Sequence, residues 1–259
     1  MEEAVLSDDT PFDWGTHDVP EDRTKTLQFG PLHLHFTRRA GEIRLAVRRE
    51  GDPPGLRWSR WAPGQAWSGR LSLAPAFPDR PVVVKPEDEF WLMKGAEARI
   101  FVRVPMAVRV AAQGGEERVL MEIPTTVLSD TWWGNPEEGE LCYFLDTMAR
   151  RAMAGEDFME HLCACPLHLV NRSPDDLLVT RIALRPAYLA IYRDGNRLWS
   201  DVTTVRYRGE EEGSVLDVSG RPPREADDPV LLTAADTPMA RGFSARTFAR
   251  LRSSLGGWI

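Results

Sequence analysis

Apolar and polar residues alternate with period two over most of this chain. Leu32, Leu34 and Phe36 alternate with His33, His35 and Thr37. After Ala40-Gly41-Glu42, Ile43, Leu45 and Val47 alternate with Arg44, Ala46 and Arg48. Alternation on both sides of a glycine turn predicts a hairpin with one buried face. Residues 51–80, rich in Gly and Pro and carrying Trp58, Trp61 and Trp67, read as irregular loops with one or two short strands.

The alternation returns at Pro81 with PVVVK and EFWLM, then ARIFVRV, then Met106, Val108 and Val110 up to the Gln113-Gly114-Gly115 turn. Residues 119–151, VLMEIPTTVLSDTWWGNPEEGELCYFLDTMARR, hold two apolar-rich runs joined by a Gly-Asn-Pro-Glu-Glu-Gly loop. EHLCACPLHLV, LLVTRIALR and AYLAIY follow, and Asp194-Gly195 is a hairpin-turn signal before NRLWSDVTTVRYR and SVLDVSG. Helical spacing is confined to two places. One is MARRAMAGEDFM, residues 148–159, ending near Gly155. The other starts at Ser244, where Ala245, Phe248, Leu251 and Leu255 share a stripe that Gly256-Gly257 stops.

Short strands at spacings of about 8 to 12 residues with few helices predict a mainly β protein. The expected fold is an antiparallel β-sandwich or jelly roll with a short internal helix and a C-terminal amphipathic helix. The expected organisation is an acidic lead over 1–24, a body over 25–235 with a division into lobes signalled only weakly near 80 or 155, and a basic helix over 236–259.

The net charge of −7 and pI near 5.4 argue against a nucleic-acid binder, which needs a concentrated basic surface. No run approaches a membrane span, and the acidic start lacks the features of a signal peptide. Three cysteines, Cys142, Cys163 and Cys165, do not suit a disulfide framework and point to the cytoplasm.

Candidate chemistry is sparse. His161, Cys163 and Cys165 fall on one strand face, and His33 with His35 makes an H-x-H pair on another. These residues are the candidate metal ligands, but small buried cysteines and surface histidines explain both patterns as well. The loop beside Trp132 and Trp133 carries Glu137, Glu138 and Glu140; aromatic faces next to carboxylates bind sugars or cations, and paired carboxylates serve glycoside chemistry. Arg150 and Arg151 read as partners of carboxylates across a sheet, or as an anion site. Nucleophile-elbow, phosphate-loop and dinucleotide motifs are absent, so no catalytic residue and no cofactor is expected.

The runs LSDTWWGNPEEGELCYFLDTMARR, CPLHLVNRSPDDLLVTRIALR and YRDGNRLWSD resemble an uncharacterised prokaryotic family, a conserved domain of unknown function of archaea and bacteria. The resemblance spans roughly residues 80–235 and implies one ancestral module without an assigned activity.

Two functional expectations result. The first is a non-enzymatic module that binds another protein, a membrane-protein partner or a second copy of itself, through Trp132, Trp133 and the acidic loop, or through Arg246 and Arg250 of the basic tail. That tail also suits peripheral association with a membrane surface. The second is a small-ligand or carbohydrate binder, with or without a metal. A concave aromatic-lined pocket distinguishes the second from the first.

Overall fold

The structure, a computed structural model, describes residues 14–210, 212–240, 242–245 and 247–248. The chain divides into two compact units, neither of them continuous. The first takes residues up to Phe77 together with Pro105–Val127 and Met159–His161. The second takes Pro78–Val104, Leu128–Phe158 and the chain from Leu162 onward.

In chain order the first unit begins with β1 (Gly15–Asp18), β2 (Lys25–Phe29), β3 (Leu32–Arg39), β4 (Glu42–Arg49), β5 (Ser59–Trp61) and β6 (Trp67–Ala76). The second unit then takes β7 (Val82–Pro86), β8 (Phe90–Leu92) and nearly all of β9 (Glu97–Pro105). The chain returns to the first unit for β10 (Ala107–Gly114) and β11 (Arg118–Pro124). In the second unit follow β12 (Ser129–Trp133), β13 (Glu140–Ala149), β14 (Leu162–Asn171), β15 (Leu177–Val179) and β16 (Ile182–Leu184). Last come β17 (Ile191–Asp194), β18 (Arg197–Ser200), β19 (Thr203–Gly209), β20 (Gly213–Val218), β21 (Val230–Thr233) and β22 (Phe243–Ala245).

The first unit has two four-stranded antiparallel sheets, ordered β1-β6-β10-β11 and β2-β3-β4-β5. The predicted hairpin is β3–β4, with Arg39 opposite Glu42. Its two turn residues, Ala40 and Gly41, both have positive φ (52° and 78°), the geometry that lets a two-residue turn follow the strand twist. Leu32, Leu34, Phe36 and Ile43 have no exposed surface, and Leu71, Val108 and Val110 of the other sheet match them. The acidic lead is part of this unit from Trp14 on: β1 pairs with β6, and the Trp14 ring lies 5.1 Å from Phe29.

The second unit is mixed rather than purely antiparallel. The sheet β12-β13-β7-β16 pairs β7 in parallel with β13, and the large sheet β21-β17-β18-β14-β19-β20-β22 pairs β14 in parallel with β18 and β19. Strands enclosed on both faces are uninterrupted apolar runs, not alternating ones. Val82, Val83 and Val84 show this, all at 1% exposure or less. In β14, Pro166 lies between the residues paired with β18 (Cys163, Ala164) and those paired with β19 (from Leu167), so on that side of the strand its missing N–H falls where the partner changes. At the end of β14, fully buried Asn171 donates to the carbonyls of Leu92 and Asp175 at 2.9 and 2.8 Å, while its Oδ1 accepts from the Ser173 N–H and hydroxyl.

Both expected helices require correction. Residues 148–149 finish β13, Met148 has a positive φ of 47°, and the Arg150 backbone bridges to Phe101. Only Gly155–Asp157 coil, as one 3-10 turn. Sheet pairing thus overrides a run with helical propensity. At the C-terminal end, Phe243–Ala245 extends as β22 against β20, and Phe248 bridges Ile182. The remainder of that predicted helix lies outside the described residues, as do Arg246 and Arg250. Among the described residues no helix is long and apolar enough to cross a membrane.

Candidate ligand groove

The first unit carries a concave site of about 410 Å³ where the ends of its two sheets meet. Trp61, the last residue of β5, contributes one aromatic wall, and Trp67, the first of β6, the other. The intervening segment Ala62-Pro63-Gly64-Gln65-Ala66 links the two sheets. Ile43 and Leu120 add apolar surface, and Arg60, Gln113, Glu116 and Arg118 supply polar groups.

Local hydrogen bonds hold this lining in place. The Trp67 indole N–H donates to the Arg70 carbonyl at 2.9 Å. Ser68 Oγ donates to the Gln113 carbonyl at 2.9 Å, and Gln113 Nε2 donates to Thr16 Oγ1 at 2.8 Å. Arg60 grips Glu42 through Nε and Nη2 at 2.8 and 2.7 Å, and that contact holds the Glu42 carboxyl below its ordinary range. Gly114 faces Trp67 across the β6–β10 ladder; a Cβ there would stand 2.3 Å from the Ala66 carbonyl oxygen. Only glycine allows the backbone to close the groove at this point.

Sequence reasoning passed over this groove. Trp61 and Trp67 lie six residues apart in a Gly- and Pro-rich stretch without alternation, and nothing in their spacing says that two sheets converge there. Several aromatic residues in a loop otherwise poor in core positions were the available signal.

The expected site residues are placed elsewhere and separately. Trp133 is 5% exposed and packs with Val83, Cys142, Ala183 and Phe144. Trp132, 53% exposed, points to the opposite side of β12 and donates its indole N–H to the Asn135 carbonyl at 2.9 Å. Glu140, the first residue of β13, is ion-paired with Arg185, which follows β16; within the loop the Glu138 backbone N–H donates to Asn135 Oδ1 at 2.6 Å, and Asn135 Nδ2 donates to the Glu138 carboxylate at 3.4 Å. Glu137 is exposed in the same loop.

The metal candidates do not converge. Among the described residues no group of three or more His, Cys, Asp or Glu side chains is placed to hold a metal ion. The His161 ring lies over Gly30, while Cys163 and Cys165 are enclosed in β14 of the other unit, where burial pushes the Cys163 thiol far above its ordinary range.

His33 and His35 share a face, with rings 6.5 Å apart, but they are not both surface residues. His35 is 5% exposed, its Nδ1 lies 2.8 Å from Thr26 Oγ1, and its Nε2 has no partner. Burial, then Arg48 and His33, lower its pKa to about 4. The unfolded chain therefore takes up a proton near pH 6.5 that the folded protein refuses until about pH 4. Stability contributed by neutral His35 is complete above pH 6.5 and is lost as pH falls toward 4. Urea midpoints across that window are expected to fall less in His35→Gln than in the native protein; parallel curves would refute this.

The fold and groove define a class: an all-β protein of two interleaved units, one of them a two-sheet unit with a tryptophan-walled recess. The chain belongs to the family described as "Protein of unknown function (DUF432)", whose model matches residues 13–252 and so extends beyond the 80–235 resemblance in both directions. No curated protein and no solved structure matches the chain.

Proposed function

We propose that this protein is a ligand-binding module whose first unit takes a carbohydrate-like molecule, one with an apolar ring face and a hydroxyl edge. The observation that carries the reading is the recess itself, with Trp61 and Trp67 on its walls and Arg60, Gln113, Glu116 and Arg118 among its polar lining groups. Its volume is in the range of small-molecule sites, which combine apolar lining with a few fixed polar groups. Tryptophan faces suit the C–H face of a pyranose ring, and the neighbouring donors and acceptors suit its hydroxyls.

A glycan array probed with the labelled full chain, followed by calorimetry on the strongest hit, tests this. Trp67→Ala is expected to weaken binding about tenfold or more, the equivalent of roughly 1.4 kcal/mol, in a variant that still unfolds in one cooperative transition. An array without hits, or a hit indifferent to both Trp61→Ala and Trp67→Ala, ends the reading.

The protein-contact reading has a different observation behind it. Trp132 and Leu141 sit opposite each other on β12 and the neighbouring β13 at 53% and 42% exposure, and β12 is an edge strand. Exposed edges with apolar side chains are sites of strand pairing between copies. Light scattering over a concentration series checks it, since a monomer throughout excludes self-association.

A further inference from the structure

The second unit holds a cavity of about 550 Å³ that is independent of the tryptophan groove. Its apolar surfaces include the buried Ile100 and Ala149, with Phe90 and Met153 also lining it. Arg151 stands over the Phe90 ring, its guanidinium carbon 5.2 Å from the centroid. Arg150 is committed to Asp157, with Glu87 3.5 Å away. Asp157 is committed in turn to Arg103, Arg150 and the Ala154 N–H. Arg151 forms no ion pair with a described carboxylate, so it is the uncommitted cation at the cavity.

We infer that this cavity binds an amphipathic monocarboxylate, its carboxylate on Arg151 and its apolar body along Phe90, Met153 and Ile100. A guanidinium stacked on an aromatic ring keeps its edge N–H groups free for a two-point contact with a carboxylate. A single uncommitted arginine matches one negative charge. Glu87 and Asp88 also line the cavity; they oppose any anion, and a dianion such as a phosphate monoester about twice as strongly as a monocarboxylate. The apolar surface leaves a purely polar anion without a counterpart for its body.

Calorimetry on the full chain with decanoate and 2-naphthoate, against decanol and decyl phosphate, tests the inference. At least one carboxylate is expected to bind about tenfold or more tighter than decanol and tighter than decyl phosphate. Arg151→Gln brings the affinity of the carboxylate down to that of decanol measured on the same variant, and Phe90→Leu weakens the carboxylate and decanol together. Failure of both carboxylates to bind at millimolar concentration overturns the inference. So does decyl phosphate binding tighter than either carboxylate, or a carboxylate preference that persists in Arg151→Gln.

Discussion

Asp157→Ala is expected to lower the unfolding free energy by about 3 kcal/mol or more, toward the 3–5 kcal/mol typical of stripping one partner from a buried ion pair. The Asp157 side chain is 6% exposed and that of Arg103 is 14%. Asp157 Oδ1 takes N–H groups from Arg103 at 3.3 Å and from Arg150, and Oδ2 takes the Ala154 N–H at 2.8 Å. Removing the carboxylate leaves Arg103 with only the Thr147 carbonyl, at 2.8 Å, and no negative charge. Arg150, one third exposed and near Glu87, recovers part of its solvation, which places the loss at the lower end of the range. Asp157→Asn keeps the shape and the Ala154 contact but not the charge, so it should recover only the smaller part. Urea denaturation decides the matter: a loss below about 1 kcal/mol would mean that water reaches Arg103 and the three-residue cluster is not a dry one.

Trp133→Ala should cost about 3–5 kcal/mol, the range for truncating a large buried aromatic side chain. Its neighbours Val83, Cys142 and Ala183 are small and held in three adjacent strands, so they cannot collapse into the space left behind. Trp132→Ala, one residue away, should cost about 1 kcal/mol or less, because its ring is half in solvent and loses mainly one hydrogen bond to Asn135. Thermal unfolding of the two variants side by side is the measurement. Equal losses would mean that the loop, and not the strand face, sets the environment of both rings.

The Trp pair also shows how far alternation reads. Period two places Trp132 and Trp133 on opposite faces of a strand whichever strands are its neighbours. It does not say which face is covered. Trp133 packs over Cys142, Val83 and Ala183 of three other strands, and the β13–β7 pairing that brings Val83 there joins residues about sixty apart in sequence. His35 makes the same point: its parity was legible, its burial was not, because cover comes from neighbouring strands.

What the chain determines by itself is local. Alternation predicts β3, β4, β9 and β10, and turn residues place Ala40-Gly41 and the Asp194-Gly195 hairpin. What only the tertiary structure decides is which distant strands become neighbours. That choice interleaves the two units along the chain, places Trp61 and Trp67 around one recess, and gathers Arg103, Arg150 and Asp157 into one ion-pair cluster. It also turns a helical-looking run at 148–159 into a strand end and a single turn. The physical reason is that a strand's own sequence satisfies only half of its requirements. Its backbone N–H and C=O groups and its buried face are completed by partners far along the chain, and no local pattern names them.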